Sequence, residues 1–109
     1  MKFELQRYEK SLDHDGKVKN IFISVLVTDD SGNTKLKEHF LTEAQMASVL
    51  SNESNLNAIL EEQAAIGDKE LEEQLAAVPQ PPVVANKTKL DSFVINKTNV
   101  AAKKAELED

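Results

Sequence analysis

His14 and His39 are the only side chains of this 109-residue sequence whose ordinary pKa suits proton transfer near neutrality. His14 falls in Asp13-His14-Asp15-Gly16, which reads as a turn, and His39 on the polar side of a strand pattern. Neither has a nucleophile or an orienting carboxylate at a recognisable spacing, so an acid–base site is not expected. Asp13 and Asp15 are candidate oxygen ligands, but a calcium loop needs further oxygens, a central glycine and a distal glutamate in register, and here the register fails. Asp29 and Asp30 form a second acidic turn. Successive hairpin turns lie at opposite ends of a sheet, so the two pairs do not pool, and neither a metal nor any other cofactor is expected.

Three widely separated glycines make no phosphate-cradling loop or dinucleotide fingerprint, and there is no cysteine nucleophile, disulfide or thiolate metal site. The reading is therefore non-enzymatic. Asn52-Glu53-Ser54 and the Asn-Lys-Thr triplets at 86–88 and 96–98 match the N-glycosylation pattern. Yet Met1 to Arg7 places charge among its apolar residues and offers no secretory leader, so turn and cap roles suit these residues better. Two copies of a triplet do not make a repeat protein. The longest apolar run, Ile21 to Val27, is too short to span a bilayer, and no membrane partner is expected.

The net charge of −6 is unevenly placed. Residues 1–41 balance seven basic against seven acidic side chains, residues 42–78 set Lys69 against eight acids, and residues 79–109 carry five lysines and four acids. No basic cluster could replace phosphate counterions, so direct nucleic-acid binding is disfavoured.

The elements that would position these groups are legible from periodicity. Phe3 and Leu5 begin a half-buried strand that runs to Leu12, and Val18 to Val27 is a stronger one. In the second, Ile21, Ile23, Val25 and Val27 line one face while Phe22 and Leu26 contribute to the other, which marks a central strand. After Asp29-Asp30-Ser31-Gly32-Asn33, Leu36 and Phe40 alternate with polar residues. Three strands with two short loops predict an antiparallel meander. Thr42 and Gln45 form a capping-box pattern, so a helix begins there; Ser51 to Asn55 interrupts or re-caps it, and Leu56, Ile59, Leu60, Gln63 and Ile66 recur at helical spacing. Gly67-Asp68 reads as a stop and a new N-cap before Leu71, Leu75 and Val78. Glu61 is expected on the wet side of the first of these helices, with Glu62 on its flank, and Glu72 and Glu73 on the wet side of the second.

Pro79-Gln80-Pro81-Pro82 holds every proline and divides a patterned body, residues 1–78, from an arm, residues 79–109. The body alone, burying roughly 60% of its unfolded surface, would have modest stability, and truncation after Val78 is expected to leave it folded. In the arm, Val83 and Val84 read as extended, Leu90 to Ile95 as a short strand with Phe93 and Ile95 on one side and Val94 on the other, and Asn99 to Leu107 as a helix that would be marginal alone. The strand either folds back onto the body or adds to the sheet edge of a neighbour; a third alternative is that the arm stays disordered.

This layout resembles the small virion or accessory proteins of tailed bacteriophages, and Leu41-Thr42-Glu43-Ala44-Gln45-Met46 is similar in style to phage reading frames. The resemblance implies a structural or assembly protein, in a virion or a host cytoplasm, whose partner is itself or another subunit. The fold expected is α+β, a three-stranded meander followed by two or three helices, with Val83, Val84, Leu90, Phe93, Val94 and Ile95 as the partner-binding residues. The alternative is an acidic inhibitor that imitates nucleic acid through Glu61, Glu62, Glu70, Glu72 and Glu73 and occupies a basic groove.

Overall fold

Two turns of the same design set the sheet. In each, an aspartate opens the loop, its carboxylate accepts from the amides two and four residues on, and a glycine closes it in the left-handed region. Asp13 Oδ1 accepts from Asp15 and Lys17 at 2.9 and 3.0 Å, and Asp29 Oδ1 from Ser31 and Asn33 at 2.9 and 2.8 Å. Gly16 and Gly32 have φ of 82° and 88°, which a side chain would strain. The computed structural model describes residues 1–77, 93 and 95–107. These turns join β1 (Lys2–Leu12), β2 (Val18–Thr28) and β3 (Thr34–Phe40) into an antiparallel sheet in the order β1-β2-β3, the expected meander.

β1 carries one residue too many at Gln6. The ladder pairs Leu5 with Val25 and then Arg7 with Ser24, so Gln6 forms a bulge. The extra residue reverses the alternation: Leu5 and Tyr8 both face the helices, whereas Arg7 turns to the opposite face. The spacing of the apolar residues, 3 and 5 and then 8, is the sequence trace of this shift.

Thr42 caps α1 (Glu43–Ser51) as the sequence predicts: its side chain accepts from the Gln45 amide at 3.2 Å, and Gln45 Oε1 accepts from the Thr42 amide at 3.0 Å. His39 on β3 adds to the box, its Nε2 lying 2.9 Å from the same Gln45 oxygen. Asn52 then ends α1 and caps a 3-10 turn, Glu53–Asn55, which leads into α2 (Leu56–Ala77).

α2 does not stop at Gly67. It runs unbroken over 22 residues, and Gly67 serves the packing: a Cβ there would stand 3.0 Å from Val27 Cγ2 and 3.3 Å from Lys37 Cβ. The glycine read as a helix end is a place where the helix lies close against the sheet. Leu5, Ile21, Ile23 and Val25 from the sheet, Val49 from α1, and Leu56, Ile59, Leu60, Ala64 and Ala65 from α2 form the core. At the edge of the sheet Lys35 and Lys37 reach across to Glu70 of α2, at 3.7 and 2.9 Å.

The core also contains Ile95 and Val100, 9% and 1% exposed, with Phe93 packed against it. Apolar burial thus crosses the boundary that the prolines suggest. α3 spans Lys97–Leu107 and starts two residues earlier than its propensity indicated, because Asn96 accepts from the Thr98 amide at 2.9 Å and caps it. Of the proposed 90–95 strand, Phe93 lies in a bend and Ile95 outside regular structure, while Leu90 and Val94 fall outside the described residues, as do Val83 and Val84.

Candidate interaction surface

α3 packs along α2 and changes what the acidic residues face. Glu61, expected on the wet side of its helix, is 7% exposed, and its Oε2 accepts from Asn99 Nδ2 at 2.7 Å. The helical wheel placed Glu61 opposite the apolar stripe correctly, but the wheel has no knowledge of a second helix arriving on that side. Asp68 is likewise 7% exposed and lies 3.4 Å from Lys104 Nζ, which also pairs with Glu72. Burial works against the Lys104 charge, but Glu72 and Asp68 outweigh it, and the ammonium pKa is raised. Of the five acids proposed as a nucleic-acid mimic, Glu61, Glu70 and Glu72 are therefore held by groups of this chain, and Glu62 and Glu73 are exposed.

Tyr8 joins the C-terminal segment to the first strand. Its ring meets Phe93 edge-on, with centroids 5.6 Å apart and planes at 82°, and its hydroxyl lies 3.3 Å from Glu53 Oε2. Burial raises the phenol pKa, with Lys10 pulling the other way. Lys10 sits 5.5 Å from the ring centroid and 3.5 Å from Glu53, and both partners raise its pKa. Phe93 and Ile95, proposed for partner contact, thus pack on the body of their own chain, which is the fold-back arrangement for these two residues.

The histidines are far apart: His14 is exposed in the first turn, while His39 stands opposite Ile23 on β3 and is engaged by Gln45. Among the described residues, no group of three or more histidine, aspartate or glutamate side chains could hold a metal ion. Among the described residues, two of the hollows lie beside the helices. One, of about 270 Å³, is lined by Phe3, Asp68, Val100 and Lys104, whose charges already pair with one another or with Glu72. The other, of about 360 Å³, lies between α1 and α2 and is lined by Ser48, Ile59, Glu62 and Lys103. Neither sets a nucleophile beside a base. No described helix is long and apolar enough to cross a membrane.

What remains is the sheet face turned away from the helices. Beyond the end row of Lys2, Thr28 and Thr34, the register sets three rows across it: Glu4, Leu26 and Leu36; Arg7, Ser24 and Glu38; Glu9, Phe22 and Phe40. Phe40 is 63% exposed, and its ring lies 5.0 Å from that of Phe22. The Arg7 guanidinium stands 5.6 Å from the Phe22 centroid while donating to Glu9 at 2.8 Å. Ser24 is buried with an unpartnered hydroxyl, and Glu38 is exposed. Among the described elements, the helices all pack on the other face. The alternation in β2 already showed Phe22 and Leu26 on a second face; the sequence lacked only the information that no described helix covers it. Comparison with known proteins adds no precedent, since no protein-family model, curated protein or solved structure matches this chain.

Proposed function

We propose that this chain is a non-enzymatic structural or assembly protein that acts by protein contact through the open face of its sheet. The observation that carries the reading is the exposed Phe40 ring, tilted against Phe22 on a face no described helix covers. A large exposed aromatic group next to a second one costs solubility, and such patches mark contact sites. Leu12 and Leu50 are exposed as well, but singly, which is ordinary for a protein surface. By resemblance of layout, the assembly would be a phage particle or an accessory complex in the host cytoplasm. Of the arm, Phe93, Ile95 and Val100 pack in the body, and Val83, Val84, Leu90 and Val94 lie outside the described residues, so the proposed contact rests on the sheet. The inhibitor reading is the weaker one, because most of its carboxylates are engaged within the chain.

The test is the mass of the native complex recovered with tagged full-length chain from its producing cell, for wild type and Phe40→Ser. The wild type is expected in a complex larger than one chain, and the variant, with unchanged thermal stability, is expected free of it. An equally large complex for the variant would remove this face from the function.

A further inference from the structure

We infer that the partner of the open sheet face is a second copy of this chain, docked face to face about a two-fold axis running along β2. This rests on the proposed contact function and names its occupant. The argument comes from the charges in the three rows. A two-fold axis lying between two stacked sheets has two simple orientations. If it runs across the strands through the Ser24 row, β1 covers β1 of the copy, Arg7 meets Arg7, Glu38 meets Glu38, and Glu9 meets Glu4. Every charged contact is then between like charges, each of which disfavours the pairing.

If the axis instead runs along β2, each row lies on its own reversed copy. β1 covers β3, so Arg7 meets Glu38 of the copy, and symmetry makes that contact twice. Arg7 can serve both carboxylates: Nε and Nη2 donate to Glu9, and the guanidinium has further N–H groups to offer. Glu38 forms no ion pair within the described chain and gains one. Along the centre Phe22 meets Phe22, while Leu26 and Ser24, 8% and 1% exposed in the single chain, lie beneath that contact and add little area to it. Glu4 and Glu9 lie over Leu36 and Phe40 of the copy at the rim of the face, where each keeps its own cation, Lys2 at 3.3 Å and Arg7 at 2.8 Å.

The third possibility, extending the sheet by pairing β3 with β3 of a copy, is opposed by the same reasoning. Antiparallel pairing centred on Lys37 sets Lys37 against Lys37 and Lys35 against His39, on an edge already guarded by charge. The stacked face is about 14 Å wide and about 23 Å long, from three strand spacings and seven residues of rise. Such an interface buries on the order of 1,000 Å² in total, the lower end for specific association. A reversible, concentration-dependent dimer is the consequence.

Sedimentation equilibrium of the purified full chain, from about 10 µM to about 1 mM, reads this directly. The wild type is expected to pass from monomer to dimer across the range. Arg7→Glu alone and Glu38→Arg alone should each weaken the dimer about 30-fold or more, since each replaces two attractive contacts by two repulsive ones. An equimolar mixture of the two variants should recover dimer, because every crossed contact is then Glu with Arg. Thermal melts of each variant check that the monomer is intact. A wild type that stays monomeric throughout overturns the inference. If Phe40→Ser also destabilises that monomer, the occupant of the face lies within the same chain. If the monomer instead joins a larger native complex that Phe40→Ser abolishes, the contact function survives and its partner is another protein. A dimer indifferent to both charge reversals likewise overturns the proposed axis.

Discussion

Val100→Ala tests whether the C-terminal helix belongs to the cooperative core. Val100 is 1% exposed and packs among residues from the sheet and α2. The substitution removes two methyl-sized groups, worth about 1.6 kcal/mol at about 0.8 kcal/mol per buried carbon. The space left behind adds to that, so a total near 2 kcal/mol is expected. For a domain whose whole stability is roughly 5–10 kcal/mol, that is a large fraction. At about 4–8 °C per kcal/mol in a small domain, the midpoint should fall by roughly 8–16 °C. Urea unfolding followed by circular dichroism gives the free energy, and Val49→Ala, at a residue 2% exposed on α1, gives the internal scale. Equal slopes in urea and similar losses for both variants would show one cooperative unit. If Val49→Ala costs its expected amount and Val100→Ala costs less than about 0.5 kcal/mol, α3 unfolds apart from the core and the reasoning fails. The same logic reverses the expectation for truncation after Val78: the shortened chain loses Ile95 and Val100 and leaves Glu61 without Asn99, so it should unfold far more readily than the full chain.

Other perturbations address single contacts. Gly67→Ala should destabilise, although alanine in a helix interior is ordinarily favoured by about 1 kcal/mol, because the added Cβ meets a fully buried, β-branched Val27 that cannot swing away; a raised melting temperature would show that helix and sheet are less tightly apposed. Asn99→Ala strips the buried Glu61 carboxylate of its donor and should cost about 1–3 kcal/mol in urea unfolding, with the loss largely relieved when Glu61 is also changed to Gln; additive losses would mean that the two residues do not interact. Stability should fall on the alkaline side, since the pKa values of Lys104, Lys10 and Tyr8 are all raised. Their contributions are complete below the unfolded values and are lost as pH rises through the folded ones, and Lys104→Met should flatten that decline in a melting series. On the acid side the Asn33 side chain, with nearby amides, lowers the Asp29 pKa. Its contribution holds above the ordinary carboxylate value and disappears as pH falls through the lowered one; Asp29→Asn should remove that part of the acid limb.

Local signals carried far in this chain. The Asp-to-Gly turns, the alternation in β2 and the Thr42–Gln45 box are short-range devices, and each does in three dimensions what its spacing implies. What escaped the sequence depended on partners distant along the chain. Gly67 has the same composition signal whether it ends a helix or lets a strand approach, and only Val27 and Lys37 decide between them. Glu61 sits opposite an apolar stripe in either case, and only the arrival of Asn99 makes that side a buried one. The arm shows the same thing: low apolar content between residues 79 and 92 obscured the fact that three apolar side chains just beyond it complete the core. The candidate surface was visible in part. Phe22 and Leu26 are legible as a second face of β2, whereas the alternation in β3 does not say which face Phe40 takes, and Arg7 could join them only through a bulge that no turn or cap announces.

That bulge makes the reading frame of β1 a vulnerable property. Replacing Gln6 by another residue leaves the count of residues along the strand intact. Deleting it would set Arg7 directly after Leu5, the succession that already pairs with Ser24 and Val25, so plain alternation would keep Arg7 on the open face and Tyr8 toward the helices. The opposite holds if Gln6 stays and the bulge gives way to a regular ladder: Gln6 would then stand opposite Ser24, Arg7 and Tyr8 would exchange sides, the guanidinium would be driven toward the helices and the phenol ring would leave Phe93. In this strand the pairing after Leu5, rather than the side chain at position 6, decides which face each later residue serves.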